Sequence, residues 1–257
     1  MEITKIKKLK NGKYKFLCDN GEVIELYDEI ILKNNLLYHK HIDKEMLDII
    51  NKENNYYNYY NKALKYLNTK MRSTKEMHCY LEKLELNADE RLSIVAKLME
   101  IGLLNDELYV KAYINDKIYL SNIGPNKIRN ELLSHDISED MIDRYLNTID
   151  KQLLNDKLNK YIAKKISSNH KLSKYQLEKK IINDLVNNGY NREDVCEQLA
   201  DFELTENNEI LQKEYQKIYL KLSKKYQGSD LNFRVINKLR QKGFLKEEIE
   251  QIMEENI

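Results

Sequence analysis

The sequence has no tryptophan, a single proline, and only seven glycines in 257 residues, at positions 12, 21, 102, 124, 189, 228 and 243. Glycines this scattered cannot form the clustered loops with which a backbone wraps a phosphate, so nucleotide sites of the Walker and dinucleotide types are excluded. The three cysteines, Cys18, Cys79 and Cys196, are far apart and include no C-x-x-C pair, which argues against a disulfide framework and against a zinc site. The histidines, His39, His41, His78, His135 and His170, include no H-E-x-x-H, and none is paired with a cysteine or serine nucleophile. His39 and His41 read as part of a solvated loop. No active site can be written, and no cofactor or metal is expected. Long hydrophobic runs are missing too: nothing approaches the roughly 18 apolar residues of a membrane span, and the opening MEITKIKKLKNGKYKF is no secretion signal. A cytoplasmic protein is expected. Charge of one sign is also absent, since 43 Lys+Arg face 42 Asp+Glu. Bulk charge therefore does not drive nucleic-acid binding, and any such contact must come from local patches.

What is present begins with alternation. Between Lys5 and Leu26 apolar and polar residues roughly alternate, and Asn11-Gly12 and Asn20-Gly21 divide the segment. Asn-Gly favours tight hairpin turns, so three antiparallel strands are predicted, near 3–9, 13–18 and 22–27, leaning on a first helix at 28–33. The rest reads as helix. Asp43 is a candidate N-cap, followed by Met46, Leu47, Ile50, Tyr56, Tyr57, Tyr60, Leu64 and Leu67 at helical spacing. The tyrosines at 56–60 fit a core face better than a base-stacking platform.

Three stretches share one pattern: KIRNELLSHDISEDMI (127–142), KIINDLVNNGYNREDV (180–195) and RVINKLRQKGFLKEEI (234–249). With Leu132, Leu185 and Leu239 in register, the period is 185−132 = 53 and 239−185 = 54 residues. Ile128, Ile181 and Val235 lie four residues before the leucine. Ile137, Tyr190 and Phe244 lie five after it, and Ile142, Val195 and Ile249 ten after it. Gly189 and Gly243 fall where a helix C-terminus takes the left-handed conformation, with Asp136 in their place in the first of the three. Asp140, Glu193 and Glu247 then sit in the first turn of the next helix, where the dipole favours an acid. Amphipathic stretches at about 105–120, 151–167 and 207–226 precede the pairs, so the unit is three helices. A fourth, earlier copy spans 76–92, where Met77, Leu81 and Leu86 hold the register with one extra residue after them. The expected fold is mainly α: tandem three-helix repeats stacked in an elongated, curved solenoid behind a small antiparallel β segment. The segments are a β-rich head (1–42) and repeats at 43–104, 105–150, 151–204 and 205–257.

Positive charge recurs locally. Lys127, Lys180 and Arg234 each stand five residues before the register leucine, beside the apolar stripe. They form either a solvated flank with snorkelling stems or a ladder facing phosphates. Lys70, Arg72 and Lys75 surround Ser73, a candidate N-cap, and a helix N-terminus among cations suits an anion. Arg129 lies near the equivalent place in the next unit. From 151 to 180 nine lysines face only Asp156 and Glu178. Among them Lys164, Lys165, Lys174 and Lys180 are the candidate phosphate contacts.

The segments YNKALKYLNTKMRSTKEMHCYLEKL (60–84), LMEIGLLNDELYVKAYI (98–114) and IGPNKIRNEL (123–132) resemble the RecX family. The matching motifs are Met71-Arg72-Ser73, Glu76-Met77, Gly102-Leu103-Leu104-Asn105-Asp106, and Gly124 through Ile128 to Glu131-Leu132. Met77 for leucine and Asp136 for glycine are mild departures. The resemblance implies a non-enzymatic, monomeric regulator that binds the RecA filament and lowers its recombinase, ATPase and co-protease activities, in DNA repair and the SOS response. DNA would be met through the filament or weakly alone, and no membrane is involved. A helical-repeat DNA-binding protein, or a scaffold for another protein partner, remains the alternative reading.

Overall fold

The computed structural model describes residues 1–204 and 208–255. Three strands, β1 (Ile3–Lys8), β2 (Tyr14–Cys18) and β3 (Val23–Leu26), form an antiparallel sheet in the order β1-β2-β3. Gly12 and Gly21 each take φ +84°, as the two Asn-Gly turns require. Phe16 is paired with Ile6 on one side and Ile24 on the other. It is fully buried against Leu26, Ile30, Ile31, Leu36, Ile42 and Ile50. Three short strands cannot stand alone. They are covered by α1 (Asp28–Lys33) and by the first half of α2 (Lys44–Leu67), whose N-cap Asp43 accepts the Met46 N–H.

Among the described residues twelve helices in four triplets follow α1: α2, α3 (Thr74–Glu82) and α4 (Ala88–Glu100); α5 (Asp106–Leu120), α6 (Pro125–Leu133) and α7 (Glu139–Leu146); α8 (Lys151–Ser167), α9 (Lys174–Asn187) and α10 (Arg192–Ala200); α11 (Asn208–Leu222), α12 (Gly228–Gln241) and α13 (Lys246–Glu255). The protein is mainly helical, built of tandem three-helix domains. The expected start of α11 at 207 lies outside the described residues. Two compact units contain these elements, Met1–Tyr109 and Val110–Ile257. Within the first, α2 serves two cores. Ile50 belongs to the core under the sheet, and Ala63, with Tyr56, Tyr59 and Tyr60, belongs to the core of α3 and α4. The tyrosines thus pack at a core rather than stand as an open platform.

All twelve register positions from Ile128 to Ile249 are buried, none more than 5% exposed. Burying each such side chain contributes about 1.5–3 kcal/mol, which makes the periodicity a record of packing. The left-handed position four residues after the leucine holds in every copy, at Glu85 (φ 62°), Asp136 (57°), Gly189 (91°) and Gly243 (84°). The extra residue expected in the earliest copy is absent. There α4 starts at residue 88, the same distance from Leu81 as 139, 192 and 246 are from their leucines. The tenth position falls on Arg91, which pairs with Glu82 at 3.1 Å, while Leu92 is 58% exposed. Ile94, Val95 and Leu98 fill the α4 core instead, so the apolar stripe is rotated rather than shifted by an insertion.

Within the second unit the repeats are joined at these turns. The Gly124 N–H donates to the Asn188 carbonyl at 2.7 Å and the Asn126 N–H to the Gly189 carbonyl at 2.9 Å. A Cβ on Gly189 would stand 2.4 Å from Lys127 N and Cβ, and one on Gly124 would stand 2.6 Å from backbone atoms of Gly189 and Tyr190. The next joint repeats the plan with side chains: Ser173, the N-cap of α9, donates to the Lys242 carbonyl at 2.6 Å beside Gly243. Ser173 is 1% exposed, so its hydroxyl replaces the water that the Lys242 carbonyl would otherwise need.

Candidate functional site: a lysine-lined groove on α8

Helix α8 (KQLLNDKLNKYIAKKIS) is capped by Asp150, whose side chain accepts the Gln152 N–H. Leu158 and Ile162 are its buried core residues. Lys157, Lys160, Lys164 and Lys165 recur at steps of three, four and one, which gathers them on one side of the helix. With Asn122, Tyr161 and Ser168 they line an open groove of about 560 Å³. Its floor is fixed by two internal bonds. The Lys157 ammonium donates to the Ser121 carbonyl at 2.6 Å and ties down the loop before α6. Burial pushes that ammonium below its ordinary pKa, and neighbouring Lys160 pushes the same way. Lys165 donates to Asp184 at 3.1 Å, the Tyr161 hydroxyl donates to the same oxygen at 3.1 Å, and the Lys165 ammonium lies 5.1 Å from the Tyr161 ring centre. The hydrogen bonds with Tyr161 and Asp184 raise the Lys165 pKa, so it stays charged.

Lys160 and Lys164 are exposed and form no ion pair among the described residues. Four cations face one carboxylate around a groove, and mutual repulsion favours any anion that enters. Lysine ammoniums are point charges, so the groove suits phosphates or carboxylates in a row and reads no base sequence. Sequence reading counted Lys157 and Lys160 in the nine-lysine stretch and singled out Lys164 and Lys165, but passed over Tyr161 and Asp184. The spacing of the lysines was visible, whereas the partnership with Asp184, nineteen residues beyond Lys165, was not.

The other predicted cations are placed differently. Ser73 does cap α3, with a reciprocal box: Ser73 accepts the Glu76 N–H and Glu76 accepts the Ser73 N–H, both at 3.1 Å. The Glu76 carboxylate is also reached by Lys70 at 3.3 Å and Arg72 at 3.2 Å. The anion at this helix start is therefore the protein's own. Burial alone would raise the Glu76 pKa, but the Ser73 N–H, Lys70 and Arg72 outweigh it and hold the carboxyl below its ordinary value. Arg72 also stacks 3.9 Å from the Tyr66 ring centre, and Lys75 is half-buried and engaged. Arg129 pairs with Asp143. Arg234 is held by Asp230 at 3.1 Å and lies 4.0 Å from the Tyr226 ring centre. Lys127 is half-buried at the joint with Gly189, Lys174 is exposed and engaged, and Lys180 is exposed. The three ladder positions thus share a register but not an environment.

A second feature was missed. In the preceding repeat the Tyr113 hydroxyl donates to Glu131 at 2.6 Å and Lys117 reaches Glu131 at 3.0 Å, the same tyrosine–carboxylate–lysine clamp as Tyr161, Asp184 and Lys165. Burial works to raise the Glu131 pKa, yet bonds from Tyr113 and Lys117 lower it. Glu131 thus has a structural task, fastening the first helix of its repeat to the second.

Residues 60–98 match the model of the first RecX three-helix domain, and residues 105–146 match that of the second. Along its full length the chain is 27% identical over 262 residues to the Regulatory protein RecX of Listeria monocytogenes serotype 4a, covering 97% of that protein. It is 29% identical over 259 residues to the Regulatory protein RecX of Streptococcus agalactiae serotype III, covering 99% of each chain. The chain thus carries matches to two RecX three-helix domains and is similar over its full length to proteins named Regulatory protein RecX. Two solved structures share its fold. A crystal structure of a regulatory protein RecX superposes with TM-score 0.64 at 21% identity, over 78% of this chain and 99% of that one. RecX from Lactobacillus salivarius superposes with TM-score 0.52 at 24% identity, over 58% and 97%. The two matched RecX domains lie in the first and second triplets, so α8 and its four groove lysines lie beyond them, while Asn122 on the groove's other side belongs to the second. Among the described residues no group of His, Cys, Asp and Glu could hold a metal, and no helix is long and apolar enough to cross a membrane.

Proposed function

We propose that the protein is a cytoplasmic, non-enzymatic regulator of a RecA-type recombinase. It binds the nucleoprotein filament and lowers its recombinase, ATPase and co-protease activities, and so acts in DNA repair, recombination and the SOS response. The observation that carries this reading is full-length similarity to proteins named Regulatory protein RecX, joined to a fold of tandem three-helix domains. A filament presents the same surface at every subunit, and a chain of tandem repeats can engage more than one copy, which multiplies weak contacts. The α8 groove supplies the charge for an acidic or phosphate-bearing strip of such a surface.

The test is DNA-dependent ATP hydrolysis by the cognate recombinase, titrated with this protein. The parent should slow it. Lys160→Glu/Lys164→Glu should raise the half-inhibiting concentration roughly tenfold or more at low salt, from about 1 kcal/mol per exposed pair lost. The gap should narrow as salt screens both variants. A parent that leaves the rate unchanged refutes the regulatory reading. A double variant that inhibits like the parent moves the contact away from α8, first to Lys127, Lys180 and Arg234.

A further inference from the structure

The N-terminal sheet carries a second cationic surface, distinct from the groove and not required by the proposed function. From Ile3 to Leu17 there are six lysines, at 5, 7, 8, 10, 13 and 15, and no aspartate or glutamate, in a chain whose charges as a whole sum to only +1. None of the six forms an ion pair among the described residues. The register decides where they point. Ile6, Phe16 and Ile24 face the core, so Lys5, Lys7 and Lys15 share the outward face, while the Lys13 ammonium lies 4.5 Å from the Tyr27 ring centre. Lys7 lies directly opposite Lys15. Like charges opposed across strands destabilise a sheet; Glu25 of β3 stands opposite Lys15 on its other side and forms no ion pair with it among the described residues.

Lysines on an edge strand can serve only to deter strand addition. That task would place them on the edge strands β1 and β3, whereas Lys15 is on the central strand β2. Residues two apart on a strand lie about 6.8 Å apart, a spacing comparable with that of successive phosphates along a nucleic-acid backbone, each of which carries one negative charge. We propose that this outward face, built on Lys5, Lys7 and Lys15, is a binding site for the phosphodiester backbone of nucleic acid. It recognises charge and spacing, not base sequence, because lysine ammoniums offer no fixed hydrogen-bonding fork.

The experiment uses the full chain and a fluorescein-labelled oligo(dT), with anisotropy followed over a range of salt. Replacing Lys5, Lys7 and Lys15 by Gln should flatten the slope of log affinity against log salt by roughly 2, three contacts at about 0.7 each. The three Lys→Arg substitutions should preserve it, which separates lost charge from lost folding. The same flattening should appear in the Lys160→Gln/Lys164→Gln background, so failure here is distinguishable from failure of the α8 contact. An unchanged slope in the Gln variant overturns the inference, whether oligo(dT) then binds through α8 or not at all. Displacement of oligo(dT) by polyglutamate as readily as by unlabelled oligo(dT) also overturns it, in favour of an acidic protein surface.

Discussion

Three glycine-to-alanine substitutions separate two costs that the repeat joint combines. Gly12 has φ +84° and open space around its Cβ direction, so Gly12→Ala should cost only the left-handed conformation, about 1–2 kcal/mol. Gly124 has an ordinary extended backbone, φ −88° and ψ 167°, but its added Cβ would stand 2.6 Å from the Gly189 carbonyl carbon and oxygen. Carbon contacts are comfortable near 3.5–4.0 Å, so the two backbones must part by about 1 Å. That parting strains the hydrogen bonds from Gly124 to Asn188 and from Asn126 to Gly189, each worth roughly 1 kcal/mol. With lost packing, Gly124→Ala should cost about 2–3 kcal/mol. Gly189 combines φ +91° with a 2.4 Å approach to Lys127 backbone nitrogen, and its alanine variant should cost about 3–5 kcal/mol. At about 2–4 °C per kcal/mol for a chain of this size, far-UV circular dichroism melting should order the variants Gly12, Gly124, Gly189, with the last lowered by roughly 10 °C. If Gly124→Ala melts with the parent, the repeats do not meet backbone to backbone and the reasoning fails.

Two further outcomes follow from the packing and from Glu76. Leu185 is 1% exposed, so Leu185→Asp should cost on the order of 3–5 kcal/mol by leaving a charge unpaired in a core, and a variant that melts like the parent would show the register to be wrong. The Glu76 carboxyl titrates lower folded than unfolded, so its contribution is complete above the unfolded value near pH 4.3 and is lost as pH falls through the folded one. Glu76→Gln keeps an oxygen that can accept the Ser73 N–H, so it should weaken the protein by about 1–2 kcal/mol at pH 7 through the ion pairs to Lys70 and Arg72, and the gap to the parent should close in urea titrations below about pH 4.

The sequence by itself determined the elements and their inward faces, because these depend on interactions within a few residues. Asn-Gly placed both hairpin turns, Asp43 and Ser73 placed two helix starts, and the apolar period placed twelve core positions in three repeats. In the earliest copy the same rule misled, since Arg91 occupies a slot that is apolar in the others and a one-residue insertion was inferred to restore the pattern. The motif glutamate Glu131 was legible as part of a pattern, but its bond to Tyr113 was not. What tertiary structure alone decided is which charges were already spent. Lys70, Arg72, Arg129 and Arg234 look like open cations in a linear string, yet each meets a carboxylate brought to it by helix geometry or packing. Lys160 and Lys164 look no different from them in sequence, yet they form no ion pair among the described residues and stand beside a groove. Electrostatic pairing acts over a few ångströms in space, and whether a partner lies within that reach is set by how the helices fold back on one another.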